Sequence, residues 1–389
     1  MTRGKGYFCL FIVLAACVIG IFVYRTQGKK WIGYLGKEIV YFGDTSASNE
    51  TGDGGKVTTA QAIEKKETET PAPTATPKAT KEPYPSITTK EKIQVYNNTG
   101  TVVVGDTGFE MYNYVERSAG QYAKTINKFT KKVDSSVDIY ELIIPTSVGI
   151  TFPDNKIEKN GSSPQRESIR KIQKKLSGRE IFVSLYDVMM RHRNEYIYFR
   201  TDHHWTQLGA YYAYTAFCQK KGLEANPISA YQKKTAKDFL GTIYVDSGKN
   251  PNLKKDDVEM YYPVSKNLKM QYKNAANKTV EGSVISDPSG YGVSGKYLAF
   301  IDGDNPYSVI TNKDKHDGTS CIVVKESFGN AFVPFLTDHY EKIYVIDYRY
   351  WTGKLADFVK EKRAKEVIIV NNISMTRNAY LIGMLAKIL

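Results

Sequence analysis

Cys321-Ile-Val-Val-Lys325-Glu326-Ser327-Phe328-Gly329-Asn330-Ala331-Phe332 runs from an apolar stretch through a polar turn into a second apolar stretch. A short β-branched run closed by charged residues reads as a buried strand, and the residues from Gly329 onward read as the start of a helix. Ser327 then stands where strand gives way to helix. At such a turn a hydroxyl projects from the sheet edge, and the amides of the helix start face the same point, where they can stabilise an oxyanion. This is the nucleophile-elbow arrangement in physical terms, although Gly-x-Ser-x-Gly is absent. Ser327 also suits a plain helix N-cap.

The same alternation extends through the chain from about Glu91. Val102 to Tyr114, with Gly105-Asp106-Thr107-Gly108 at its centre, predicts a β-hairpin. Helices are predicted over Tyr122 to Lys132, from Ser163-Pro164 to Gly178, and from Thr206 to Lys221 with Gly222 as the stop. Ile139 to Pro145, Ile181 to Leu185, Ile343 to Ile346 and Val367 to Val370 read as core strands. Short apolar strands alternating with helices argue for an α/β sandwich around a mainly parallel sheet. Residues 224–300, rich in Lys, Asn, Tyr and Gly, break the rhythm and read as an insertion of short strands and loops.

Only five histidines occur, and two are adjacent in Thr201-Asp202-His203-His204-Trp205. An Asp and a His two positions apart can form a carboxylate–imidazole pair, which lacks only a nucleophile to make a triad. Ser147 follows a core strand too, but no clear helix start follows it, and Ser184 should be buried within a strand. His192 and His316 lie in polar surroundings, and His339 falls at the far end of the helix after Ser327. Adjacent His203 and His204 would point apart, and no Cys or His cluster of ligand spacing accompanies them, so no metal is expected.

The net charge of +13 is compatible with an anionic polymer or membrane surface. Nucleic acid is not expected, because there is no dense Lys/Arg run and no RNA-reading motif. Four cysteines in apolar surroundings do not form a disulfide framework.

Tyr7 to Tyr24 is uncharged for 18 residues, with Arg3 and Lys5 before it. As a helix it would span about 27 Å, a bilayer core, and residues 1–30 read as an uncleaved transmembrane signal-anchor with the bulk of the chain outside the cytoplasm. Leu14-Ala15-Ala16-Cys17 offers a competing lipoprotein cleavage box. Residues 31–90 read as a juxtamembrane segment and a disordered Thr/Pro/Glu/Lys-rich linker, spanning roughly 40 Å over its coil-like part. Residues 91–389 form the extracytoplasmic domain.

Asp202-His203-His204-Trp205 followed by Thr206-Gln-Leu-Gly209-Ala210-Tyr211 resembles the signature of the bacterial DHHW proteins. These are similar to the alginate-type (AlgJ/AlgX-like) polysaccharide O-acetyltransferases, whose domain is a variant of the SGNH-hydrolase three-layer sandwich. Gly303-Asp304-Asn305, Ser327 after its strand, and Ile346-Asp347-Tyr348-Arg349-Tyr350 carry the resemblance further, over about residues 95 to 389. Carried over by position, the resemblance implies Asp202 as orienter, His204 as general base and Ser327 as nucleophile. His203, Trp205, Asn305, Asn330 and Arg349 are candidates for substrate or oxyanion contacts. Two departures stand out: His203 where the alginate-type motif has Thr, and Glu326 before the nucleophile where Asp or Thr is usual.

The implied activity is O-acetyl transfer to a cell-surface or secreted polysaccharide through an acetyl-Ser intermediate. No cofactor is expected. The resemblance implies acetyl supplied by a membrane-bound O-acyltransferase (MBOAT-type) partner, with the N-terminal helix holding the domain near it. Exposed Tyr348, Tyr350 and Trp351 are candidates for stacking on sugar rings. A carbohydrate acetyl esterase using the same triad, a non-catalytic polysaccharide-binding or scaffold protein, and a basic wall- or lipid-surface binding protein are the alternatives. A separation of Ser327 from His204 beyond ~4 Å would favour the scaffold.

Overall fold

A computed structural model describes residues 84–159, 161–274 and 276–389, together with strands Ile21–Thr26 and Lys29–Tyr34. The chain divides into two compact units, Met1–Pro83 and Tyr84–Leu389. In the first unit the two strands pair antiparallel, Ile21 opposite Tyr34. Of the apolar run 7–24, residues 7–20 lie outside the described residues, as do Cys17 and the linker up to residue 83. Residues 21–24 belong to a strand rather than a helix, in keeping with the β-branched and aromatic side chains of Ile21 to Tyr24. Among the described residues no helix is long and apolar enough to cross a membrane.

The second unit is built around an eight-stranded sheet. Its strands are β1 (Asp138–Ile144), β2 (Ile181–Val183), β3 (Leu268–Lys273), β4 (Thr279–Gly282), β5 (Tyr307–Asn312), β6 (Ser320–Lys325), β7 (Lys342–Asp347) and β8 (Glu366–Asn372). They lie in the order β4-β3-β5-β7-β6-β8-β1-β2. From β7 to β2 every pairing is parallel, whereas β5, β3 and β4 join antiparallel. The sheet is therefore mixed, parallel on one side of β7 and antiparallel on the other. Part of the reason lies in 224–300, whose second half supplies the short strands β3 and β4, which extend the sheet through β5. Leu268-Lys-Met-Gln-Tyr-Lys alternates as a half-exposed antiparallel strand does.

The parallel strands alternate between two cores with a period of two. Cys321 and Val323 face one core and Ile322 and Val324 the other; Ile368 and Val370 oppose Val367 and Ile369 in the same way. Helices α1 (Glu116–Thr130), α2 (Gln165–Gln173), α5 (Leu355–Lys362) and α6 (Ala379–Ile388) cover the face of Ile322. Helices α3 (Gln207–Lys221) and α4 (Gly329–Leu336) cover the face of Cys321. Three layers result. Thr206 caps α3 by accepting from Gly209 N, and Gly222, at φ +79°, closes it in the left-handed conformation. Tyr84 to Lys90, linker by composition, are tied to this unit: Ile87 N donates to Asp154 and Tyr84 Oη to Asp187.

Candidate active site

The carboxyl ends of parallel strands are where an open α/β sheet gathers chemistry, and β6 ends two residues before Ser327. Helix α4 starts only at Gly329, so Phe328 holds the cap position and the Ser327 hydroxyl is not spent on capping. A Cβ on Gly329 would lie 2.5 Å from Lys325 Cβ, so this reversal requires glycine.

A second element meets this turn from the other side. Tyr198 and Trp205 face each other across an antiparallel bridge, and Phe199 N donates to His204 O, which folds 198–205 into a tight loop. Buried Asp256 pins it by accepting from Arg200 N at 2.9 Å, Thr201 N at 2.7 Å and the Thr201 hydroxyl at 2.5 Å. Burial raises the Asp256 carboxyl, and these donors oppose the rise.

Asp202, His204 and Ser327 come together at this point, exposed by 3%, 7% and 9% respectively. His204 Nδ1 lies 2.6 Å from Asp202 Oδ1, and His204 Nε2 lies 2.7 Å from Ser327 Oγ. An ionised carboxylate only accepts, so Nδ1 carries the proton and Nε2 offers its lone pair to the serine hydroxyl. Asp202 also accepts from His204 N at 3.0 Å and, through Oδ2, from Thr242 N at 2.9 Å. Burial alone would raise its carboxyl, but the imidazoles of His204 and His203 and these hydrogen bonds outweigh it and hold the group far below the usual carboxylate range. The ring of Tyr297 stacks on His204 at 4.0 Å, and its hydroxyl donates to Ser327 O at 3.0 Å. Together these groups can deprotonate and position a nucleophilic serine.

Glu326 lies against the same turn. Its Oε1 accepts from Asn372 N at 2.9 Å, and its Oε2 accepts from Phe328 N at 3.2 Å and lies 3.3 Å from Ser327 Oγ. Burial raises its carboxyl.

The other candidates separate. His203 is half-buried, with Nδ1 2.7 Å from Thr242 Oγ1 and its ring 3.9 Å from that of His204. Burial, followed by the neighbouring His204, lowers its pKa. Trp205 is wholly buried and its indole N–H donates to Phe328 O, so it braces the two loops instead of meeting a ligand. Asn305 turns its amide onto the carbonyls of Ile301 and Asp302. Asn330 donates to Asp304 at 2.9 Å, and its buried Oδ1 has no hydrogen-bond partner among the described residues. Arg349 pairs with Asp304 at 2.9 Å and Asp347 at 2.6 Å, in a buried network with Lys325. Tyr348 is buried rather than available to a sugar. Ser147 does open a one-turn helix, Ser147–Ile150, but is buried, whereas Ser184 is exposed just past β2. His339 is hydrogen-bonded to Tyr214 Oη at 2.5 Å.

Asp202, His203 and His204 bring possible metal-ligand atoms within 4.8 Å of one another. Both nitrogens of His204 are already engaged, and His203 Nδ1 is bonded to Thr242, so an ion here would have to displace the hydrogen bonds just described. A cavity of about 1090 Å³ lined by Lys92, Val104, Arg193, Tyr196, Phe199 and Arg200 includes none of Asp202, His204 and Ser327. This cavity therefore lies apart from the hydrogen-bonded chain of Asp202, His204 and Ser327.

Thr242, Gly241 and Tyr297 carried no signal in the sequence. Asp304, Lys325 and Asp347 stand in stretches the sequence singled out, but only the fold joins them with Arg349 into one ion-pair network. A Cβ on Gly241 would collide with the Asp202 carboxylate.

The chain matches the family model described as "DHHW protein" over residues 80–346. No curated protein matches it in sequence. Among solved structures it is similar to a DHHW family protein from Eubacterium siraeum, with 30% identity and a TM-score of 0.70, over 78% of this chain and 99% of that one. It is similar in fold to Bacillus cereus PatB1, solved with a sulfonyl adduct, at 17% identity and a TM-score of 0.63, over 74% and 99% of the two chains. A more distant likeness is to the O-acetyltransferase domain of Pseudomonas putida AlgJ, at 12% identity and a TM-score of 0.36, over 70% and 89%.

Proposed function

The chain belongs to the DHHW family, and from that premise we propose that it is an extracytoplasmic O-acetyltransferase acting on a cell-surface or secreted polysaccharide. We read its three layers as a variant of the SGNH-hydrolase fold. The observation that carries the proposal is the single imidazole of His204 bridging Asp202 at 2.6 Å and Ser327 at 2.7 Å.

His204 Nε2 takes the Ser327 proton as Oγ bonds to the carbonyl carbon of an acetyl donor. The carbonyl π electrons move to oxygen, and the tetrahedral intermediate collapses with expulsion of the donor's leaving group, which takes the proton from His204. The acetyl-Ser then meets a sugar hydroxyl. Its proton passes to His204 as its oxygen attacks, and collapse returns the proton to Ser327 Oγ. Asp202 holds the Nδ1–H tautomer throughout and stabilises the imidazolium. The Ser327 amide is the first oxyanion donor. Asn330 and Asn305 are the candidates for the second, and the Asn330 amide already donates to Asp304. A membrane-bound O-acyltransferase partner supplies acetyl.

The test is incubation with a chromogenic acetyl ester, with and without oligosaccharide, followed by mass spectrometry for acetyl on Ser327. Ser327→Ala should lower ester turnover by about 10⁴–10⁶-fold. Undiminished turnover would remove the serine from the mechanism. Acetylated oligosaccharide identifies a transferase; acetate alone, at every oligosaccharide concentration, identifies the esterase.

A further inference from the structure

The Ser327 hydroxyl has one proton and two oxygen- or nitrogen-bearing neighbours that would take it. His204 Nε2 stands at 2.7 Å and Glu326 Oε2 at 3.3 Å. In the attack-ready arrangement the proton lies toward His204, because that is the base. An ionised Glu326 would then set lone pair against lone pair at Oγ and place a negative charge beside a nucleophile that is itself gaining charge. A carboxylic acid resolves both conflicts: its hydroxyl at Oε2 can accept from Phe328 N and donate to Ser327 Oγ at the same time, while Oε1 accepts from Asn372 N.

We infer that Glu326 works as a neutral carboxylic acid that donates a hydrogen bond to Ser327 Oγ, leaving the serine's own proton to His204. This inference rests on the triad reading above. Glu326 keeps its proton through the cycle. It stabilises the seryl oxygen when bond-making or collapse leaves charge there, and breaks no bond of its own.

The surroundings favour the neutral form. Glu326 is 4% exposed, and burial raises its carboxyl. Arg349 pulls the other way, but it is committed to Asp304 and Asp347, and Asp347 itself pushes the Glu326 carboxyl up. Lys325, on the preceding residue, is likewise held by Asp347 at 2.8 Å and Asp304 at 3.4 Å. From the loop side Glu326 is faced by the Tyr297 hydroxyl and by His203, whose imidazole is disfavoured as a cation. Strand β8 contributes a backbone amide, not a charge.

A group with a raised pKa keeps its proton below that value and loses it as pH rises. The full-length wild type should therefore lose ester turnover on the alkaline side, above the ordinary carboxylate range. Glu326→Gln keeps a neutral donor but cannot accept from Phe328 N. Its turnover should fall by about tenfold at neutral pH and should lack the alkaline loss. Isotope-edited infrared spectra of wild type minus Glu326→Gln should show a protonated carboxylic C=O at neutral pH, a readout independent of activity. An alkaline limb shared by both proteins, or a carboxylate band in the difference spectrum, overturns the inference while leaving the triad intact. If Ser327→Ala retains turnover, the triad reading fails first, and the two failures are thereby distinguished.

Discussion

Two buried carboxylates in this molecule ionise in opposite directions. Asp202 lies in the loop packed against Trp205 and Phe328 on the α3 side of the sheet. Glu141, on β1, faces the other core with Ile139 and Ile143, where the Tyr122 hydroxyl of α1 donates to it. Burial penalises both charges. Asp202 has two imidazoles beside it and accepts from two backbone amides and the His204 ring, so it stays ionised. Glu141 has one phenol, its Oε2 has no hydrogen-bond partner among the described residues, and burial pushes it up to about 8. The number and charge of the donors decide the state of a buried acid, not depth alone.

The largest test removes the charge at Asp202. Asp202→Asn leaves the shape but not the tautomer preference of His204, and turnover should fall by about 10⁴-fold. A loss below about tenfold would mean that the carboxylate does not act through the imidazole. Next comes the backbone that lets Asp202 collect its donors. Gly241→Ala puts a methyl into the Asp202 carboxylate; urea unfolding should show a loss of ~1–3 kcal/mol, together with reduced turnover. Unchanged values on both would show that the loop shifts freely.

The smallest effect belongs to Glu141 and concerns stability alone. Its folded pKa is raised above the ordinary 4.5 to about 8. The stability it contributes is complete below the unfolded value and is lost as pH climbs toward and through about 8. Wild type should lose up to about 1.4 kcal/mol per pH unit across that window, and Glu141→Gln should be flatter there. Asp202 has the opposite sign: its contribution is present above the ordinary carboxylate value and disappears as pH falls. Melting temperatures of wild type and the two variants separate the cases, Asp202 in the acid range below about pH 4 and Glu141 between about pH 4 and 9, and curves parallel to wild type in both ranges would erase the distinction.

Much of this was legible because it is local. Thr206 and Gly222 delimit α3 with cap chemistry readable in the sequence, and the β-branched run from Cys321 identifies β6 with Ser327 beyond its end. The Asp202–His204 spacing already allowed a carboxylate–imidazole contact. Trp205 misled the reading because neighbours in a hairpin point to opposite sides; beside two site residues, it turns inward. The short strands expected within 224–300 include Leu268–Lys273 and Thr279–Gly282, but half-exposed strands carrying Lys and Asn do not reveal which sheet they join until their pairing is known.

The sequence by itself determined the units of the site: a strand-end serine, and an Asp and His at the right spacing. These depend on interactions within a few residues, where composition and periodicity are enough. Only the tertiary structure decided that the two segments meet across 123 residues of chain. It also brought Thr242 and Tyr297 to hold them, and gave Asp202, Glu326 and Glu141 three different protonation environments. Desolvation and long-range pairing are properties of the packed molecule, and no local stretch of sequence carries them.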